Sequence, residues 1–470
     1  MKMKRWLQRL FDIRRDEVLP VCLAVLFFFC VLVALMILRP AREALGLRGG
    51  IDAVRWLFMG TALATLLVNP LFGWLVSRLP RLQFISATYA FFACSLVGFF
   101  LLLVLTPEAV GVVSGQVFYV WFSVFNLFAT MVFWALMADR FTLEQGKRFF
   151  GLIAVGGTLG AIAGPALASQ LAAPLGTPAL LLVSAAFLAA GLAAAWGIAR
   201  VRAPQLELAA GAAASGEVGP GEFAPGKVAP GDLVPAVDER APIGGSAWAG
   251  VRAVFASRYL LGMAAYVVIL AVMATFLYFT RLQMVAELGD DLDLRTTMFA
   301  RIDLITQIAT LLLQALVAGR LMQRVGVPLT LALLPLTTAL GFIGLAMVGS
   351  LAALIAFEAA FRAVQRALMR PARETLFTVL RREDKYKAKA FIDTFVYRGG
   401  DVVGAQVEGL LGRLGMGLAA LASVAVPLAL MWAVLALWLG HTQQRMAAQL
   451  PLSKEHPPLH RGGSRHDFPP

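Results

Sequence analysis

The stretch FRAVQRALMRPARETLF, residues 361–377, places Arg362, Arg366, Arg370 and Arg373 at the end of an apolar run long enough to cross a bilayer. Steps of four, four and three residues put these guanidiniums on one helix face. Glu358 sits one turn ahead of them on the same face. If the run enters the bilayer near Ser350, Arg362 lies roughly 17 Å in, close to the midplane. Each charge there costs about 2.5–3.5 kcal/mol against lipid, so the row is expected to face water or anions. Guanidinium forks suit phosphate, which they bind bidentately without losing their proton. Arg373 alone is near enough to the helix end to snorkel to the headgroups.

Five residues of that stretch, RPARE at 370–374, recur at 39–43 and supply Arg39, Arg42 and Glu43 at the far end of another apolar run. If that run starts at Val18, Arg39 and Arg42 approach the opposite interface, where anchoring competes with binding. Arg281, and Arg301 with Asp303, are further intramembrane charges. The last two are expected to form a structural ion pair. Glu358 and Asp303 are the candidates for a titrating, coupling carboxylate.

Working outward, the chain has 470 residues, 59% hydrophobic and only 15% charged, with a mean hydropathy of +0.77. Soluble proteins carry about 25% charged residues, so this chain is expected to be dissolved in lipid. Apolar runs of spanning length occur near 17–39, 54–77, 82–106, 111–138, 148–172 and 177–201, then near 259–285, 297–321, 326–349, 351–372, 388–412 and 415–440. The expected fold is an all-α polytopic membrane protein of about twelve transmembrane helices.

The net charge of +13 does not point to nucleic acid, because of where it lies. Lys2, Lys4, Arg5, Arg9, Arg14 and Arg15 precede the first run; Arg78, Arg81, Arg140, Arg200, Arg202, Arg320 and Arg324 follow even-numbered runs. The loops after runs three, five and nine carry no Lys or Arg. By the positive-inside rule both termini are expected in the cytoplasm, and the expected location is a bacterial inner membrane. The opening MKMKRWLQRLFDIRRDE is too polar for a signal-peptide core and reads as an amphipathic surface helix over residues 1–16. Cys22, Cys30 and Cys94 all fall within runs, and the four histidines sit at or beyond the end of the last run. No disulfide framework, metal site or cofactor is expected. Without a phosphate loop or nucleophile elbow, neither is an enzyme.

Residues 203–247, rich in Ala, Gly and Pro, read as a disordered cytoplasmic connector. The connector separates a first bundle at 17–202 from a second at 248–440, with a disordered tail at 441–470. Six plus six helices around a long central loop resembles the layout of the major facilitator superfamily. GWLVSRLPR at 73–81 and GRLMQRVGV at 319–327 repeat a Gly, apolar, Arg spacing at equivalent loops. They resemble that superfamily's loop signature, with Ser77 and Gln323 where an Asp is usual, which makes Arg78, Arg81 and Arg324 gating candidates; simple anchoring at helix ends is the competing reading. GKRFFGLIAVGGTLGA (146–161) and AKAFIDTFVYRGGDVVGA (388–405) also correspond, and their glycines are read as helix-packing positions.

Four stretches resemble the ATP/ADP translocase-type nucleotide transporters of plastids and intracellular bacteria. They are ILRPAREAL (37–45), FWALMADRFTLEQGKRFF (133–150), ARETLFTVL (372–380) and KYKAKAFIDTFVYRGG (385–400). Arg39, Arg42, Glu43, Glu374, Lys385, Lys387, Lys389, Asp393 and Arg398 fall on the motif positions, while Asp401 stands where a Lys is usual. The resemblance implies exchange of a nucleoside triphosphate for a diphosphate, with lysines on the phosphates. The expected function is therefore alternating-access transport of a small anion such as a nucleotide by a monomer in the bilayer. A proton-coupled exporter of drugs or organic ions is the alternative.

Overall fold

The computed structural model describes residues 14, 17–78, 81–200, 249–380, 387–389, 391–415 and 417–449. The first lobe comprises α1 (Val18–Leu47), α2 (Ile51–Arg78), α3 (Arg81–Leu105), α4 (Glu108–Arg140), α5 (Leu143–Leu175) and α6 (Ala179–Arg200). The short α7 (Ala249–Ala256) leads into the second lobe: α8 (Arg258–Ala286), α9 (Leu292–Leu313), α10 (Gly319–Val348), α11 (Leu351–Val364), α12 (Arg370–Leu376), α13 (Tyr397–Arg413) and α14 (Leu418–Gln449). One π-helical turn, Gln314–Ala318, joins α9 to α10, another, Gln365–Met369, joins α11 to α12, and a third, Ile392–Val396, opens α13.

Among the described residues, ten helices are long and apolar enough to cross a membrane. The remaining two expected spans, 351–372 and 388–412, are the most heavily charged, and each contains a π-helical turn. Large apolar side chains on the outer surface, among them Leu67, Phe91, Met347 and Val434, are exposed, as a lipid-facing exterior requires. The expected connector at 203–247 lies outside the described residues. The last helix continues past its expected end at 440 to Gln449, so a disordered tail beginning at 441 is incorrect; the polar HTQQRMAAQ segment extends the last span as helix. α10 is broken at Gly326, whose φ of 74° and ψ of 175° interrupt the helix just ahead of Pro328, separating the expected eighth and ninth spans.

Glycines set how closely the lobe helices approach. A Cβ on Gly156 or Gly160 of α5 would lie 2.5 Å from the carbonyl oxygen of Val25 or Phe29 on α1. In the second lobe, a Cβ on Gly400 or Gly404 of α13 would lie 2.7 Å from Ala271 or 2.9 Å from Thr275 on α8. The two glycine-bearing repeats thus perform the same packing task in the two lobes.

The lobes meet where α1 and α5 pack on α9, and α2 on α13. An apolar cluster including Leu47, Val54, Phe279 and Phe299 fills the joint near turns 48–50, 176–178 and 287–291, here called the turn end. Polar clamps reinforce it. Arg55 Nη2 binds Glu408 Oε2 at 2.8 Å, the Thr177 amide donates to Asp293 at 2.6 Å, and the hydroxyls of Thr177 and Thr296 are 2.8 Å apart.

Candidate functional site

Just below that joint, α1, α8, α9 and α11 each bring charge to the lobe interface. Arg281 of α8 is fully buried, at 0% exposure. Its Nη1 lies 3.2 Å from Asp303 on α9 and 3.2 Å from Glu358 on α11, while Nη2 is 3.8 Å from Glu43 on α1. Arg39 Nε reaches Asp303 at 3.5 Å, Arg362 Nε reaches Glu358 at 3.7 Å, and Arg42 donates to Glu43 at 2.9 Å. Four guanidiniums therefore surround three carboxylates. Burying any of these charges alone is prohibitive, and only mutual pairing makes the cluster tolerable. Tyr278 donates to Glu43, and the hydroxyls of Tyr119 and Tyr278 lie 2.6 Å apart.

Below this cluster, toward the end where α1 begins and α14 ends, lie two adjoining chambers. The inner one, about 400 Å³, is lined by Met36, Arg39, Arg42, Glu43, Phe58, Thr61, Phe122, Ser123, Asn126, Tyr278, Arg366 and Arg398. The outer one, about 670 Å³, is lined by Leu270, Gln365, Met369, Arg370, Arg373, Glu374, Asp393, Tyr397 and again Asn126 and Arg398. Their walls present six guanidiniums (Arg39, Arg42, Arg366, Arg370, Arg373 and Arg398) against three carboxylates (Glu43, Glu374 and Asp393). A confined aqueous space with that excess focuses positive potential and attracts anions.

The row of four arginines divides between environments. Arg366 lines the inner chamber and donates to Gln307 of α9; Arg370 and Arg373 line the outer one. Arg362 lines neither and lies beside Glu358, which corrects the expectation of one continuous wet face. The cause is the π-helical turn at Gln365–Met369: its wider coil breaks the four-residue register between Arg362 and the later arginines. Arg39 and Arg42 both line the inner chamber and do not anchor at the interface, because α1 continues to Leu47.

Other expected residues are distributed as follows. Arg373 pairs with Asp393 at 3.1 Å and with Glu374 at 3.8 Å. Lys389 pairs with Glu374 and lies 5.5 Å from the Phe377 ring. Lys387 is half-buried and lines neither chamber, and Lys385 lies outside the described residues. Arg398 pairs with Asp401 at 3.4 Å. Asp303 pairs with Arg281 and Arg39, not with Arg301 as expected, and Arg301 is exposed; residues two apart on a helix do not face each other. The side chains of Arg78 and Arg81 lie outside the described residues, and Arg324 is exposed away from the chambers.

Sequence reading missed the neutral wall: Phe58, Thr61, Phe122, Ser123, Asn126 and Tyr278. The available signal was isolated polar groups within apolar spans, such as Asn126 in VFYVWFSVFNLFATMVF.

Two helical lobes, closed against each other at one end around a basic chamber, define a membrane carrier. Residues 21–355 match the Major Facilitator Superfamily, and the chain belongs to that superfamily; it is a transporter and not an enzyme. Solved structures share the fold at low identity. A crystal structure of the nucleoside transporter NupG is 14% identical with a TM-score of 0.51, covering 91% of this chain and 99% of that one. A POT family transporter in complex with 5-aminolevulinic acid is 12% identical with a TM-score of 0.54, covering 89% and 96%. A bacterial homolog of the human lysosomal transporter Spinster, inward-facing and unoccupied, is 12% identical with a TM-score of 0.50, covering 93% and 98%. No curated protein matches the sequence.

Proposed function

We propose that the protein is an alternating-access carrier of a small, multiply charged organic anion, best matched by a nucleotide that it exchanges for another. The observation that carries this reading is the chamber's excess of guanidinium over carboxylate. Arg366, Arg370 and Arg398 supply the chamber's least satisfied positive charge: among the described residues Arg366 donates to the neutral amide of Gln307, Arg370 is exposed to the chamber, and Arg398 holds Asp401 at 3.4 Å. Arg373, Glu374, Lys389 and Asp393 form the mouth. The resemblance in 37–45 and 385–400 to nucleotide exchangers supports the same substrate class.

With both termini cytoplasmic in a bacterial inner membrane, the closed turn end faces outward and the outer chamber faces the cytoplasm. The lobes then rock about the anion, and the Arg55–Glu408 and Thr177–Asp293 clamps open in the outward-facing state. An empty chamber leaves like charges facing one another, and a bound anion relieves that repulsion; this favours exchange over net flux. One chain encloses both chambers, which supports a monomeric unit.

The alternative, proton-coupled export, needs a buried carboxylate free to take a proton. Glu358 and Asp303 both lie 3.2 Å from the buried Arg281 guanidinium, so each is already held in an ion pair. The test is uptake of labelled ATP into proteoliposomes. Vesicles preloaded with ADP are expected to fill several-fold faster than empty ones; equal rates refute exchange. A flux driven by a proton gradient and indifferent to nucleotides establishes the alternative.

A further inference from the structure

Arg301 is a charge that neither the hub nor the chambers use. It stands roughly 14 Å along α9 from Leu292 and is exposed. Asp303 points the opposite way, buried in the Arg281 hub. Leu294, Ile305, Ile308 and Leu312 are exposed along with Arg301, at steps of seven, four, three and four that share one helix face. An outer face so apolar fronts lipid, and a charge set into it is costly unless water or a counter-ion meets it. Among the described residues, no hydrogen bond or ion pair satisfies the Arg301 guanidinium.

α5 supplies a second unpaired polar group. Gln170 is exposed and likewise has no partner among the described residues, whereas the exposed Thr158 on the same helix donates its hydroxyl to the Ala154 carbonyl at 3.1 Å. The hydroxyls of Thr177 and Thr296, 2.8 Å apart, set the register of α5 against α9. Descending each helix from that contact brings Gln170 and Arg301 to nearly one depth, roughly 8–10 Å below it. α5 and α9 pack against each other and both pack on α1, so the faces they turn away from α1 look to the same side. Gln170 belongs to the first lobe and Arg301 to the second; the seam between them is the one that the Thr177–Asp293 clamp closes.

Cβ atoms tilt toward the N-terminus of their helix, and α9 begins at the turn end, so the long Arg301 side chain reaches toward the headgroups of that leaflet. We infer that a phospholipid of the turn-end leaflet seats its phosphate at the α5–α9 seam, paired by the Arg301 guanidinium and hydrogen-bonded by the Gln170 amide. A guanidinium fork suits phosphate oxygens, and a carboxamide adds two neutral donors. The exposed Ile305, Ile308 and Leu312 beyond Arg301 take the acyl chains. Such a lipid touches both lobes where they are closed, so it favours the state shut at the turn end. The inference is independent of which anion the chamber carries.

The test is native mass spectrometry of the purified full-length protein, titrated with phosphatidylglycerol or with a neutral diacyl glycolipid that lacks phosphate. The unaltered protein is expected to hold its first phosphatidylglycerol at least about tenfold more tightly than the glycolipid. Arg301→Leu, which suits a lipid-facing position, should weaken that first phosphatidylglycerol about tenfold, the worth of one charge-assisted hydrogen bond, and leave the glycolipid unchanged. Arg301→Lys should restore part of the loss, and Gln170→Leu should cost about three- to fivefold. Equal retention of phosphatidylglycerol by the unaltered protein and Arg301→Leu, or a glycolipid held as tightly as phosphatidylglycerol, overturns the inference. A dimer that Arg301→Leu converts to monomer overturns it too, because a second copy would then supply the counter-charge.

Discussion

Arg55, at the start of α2, binds Glu408 of α13 across the two lobes, with Nη2 and Oε2 2.8 Å apart. Its Nε also donates to Glu408 at 3.1 Å, and Gln283 of α8 donates to the same carboxylate. The pair is almost sheltered from water, with side-chain exposures of 12% and 4%, so it is screened far less than a surface ion pair. It bridges the lobes at the turn end, and the proposed alternating-access cycle requires that it break.

Arg55→Ala should therefore shift the resting protein away from closure at the turn end. The side chains of Met59 and Gln406 meet across the same joint at 3.4 Å, so Met59→Cys with Gln406→Cys gives a cross-linking reporter. Cross-linking should be rapid with Arg55 present and should fall several-fold in Arg55→Ala. An unchanged rate would show that the apolar cluster alone keeps the joint closed.

Arg281→Ala leaves Glu43, Asp303 and Glu358 facing one another with their central countercharge removed. Stranding a buried charge costs about 3–5 kcal/mol, so a large drop in the thermal midpoint of the purified protein is expected. Combining it with Glu358→Gln should recover part of the loss, since the two sites share one network. Additive losses in the double variant would contradict the central role of Arg281.

Glu17, just ahead of α1, links the start of the chain to the α4–α5 corner. Burial raises its carboxyl pKa, but hydrogen bonds from Gln145 and the Arg14 amide, together with the Arg148 charge, more than reverse this and hold it below the ordinary carboxylate value of 4.5. A depressed folded pKa means that the stabilisation is present above the unfolded value and fades as pH falls through the folded one. The gap in thermal midpoint between the unaltered protein and Glu17→Gln should thus be widest near neutral pH and close below about pH 4.5. A gap independent of pH would exclude ionisation as the source.

Gly160 tests the close approach of α5 to α1. A methyl group there meets the Phe29 carbonyl oxygen at 2.5 Å, and backbone cannot step aside as a flexible side chain does. Gly160→Ala should lower the midpoint by several degrees, whereas Gly151→Ala on the same helix, where nothing lies within 4 Å, should leave it nearly unchanged.

Much of the architecture is legible in the sequence because lipid imposes simple rules on length, apolarity and loop charge. The spans, the two lobes and the packing role of the paired glycines follow from those rules. Arg366 and Arg370 are legible as facing an aqueous space for the same reason, since lipid leaves them nowhere else to go, whereas Arg373, near the helix end, has the headgroups as an alternative. What sequence spacing hides is the π-helical turn at Gln365–Met369, since no residue type marks it, and with it the separation of Arg362 from the others. Arg281 stands among the candidates by sequence, but its role as hub depends on three helices converging, which no local pattern encodes. Asp303 has Arg301 two residues away in sequence, but residues two apart on a helix do not face each other, and its partners Arg281 and Arg39 come from other helices. Thr61 and Asn126 are polar residues of ordinary type, and only the chamber distinguishes them.

The most direct measurement is the affinity of the purified protein for ATP, before and after Arg366→Gln, at low and high salt. The account predicts saturable binding that weakens with salt and falls about 10- to 100-fold in the variant, as loss of a charge-assisted hydrogen bond entails. Binding that ignores both salt and Arg366, or no binding of ATP or any other polyanion, would contradict it.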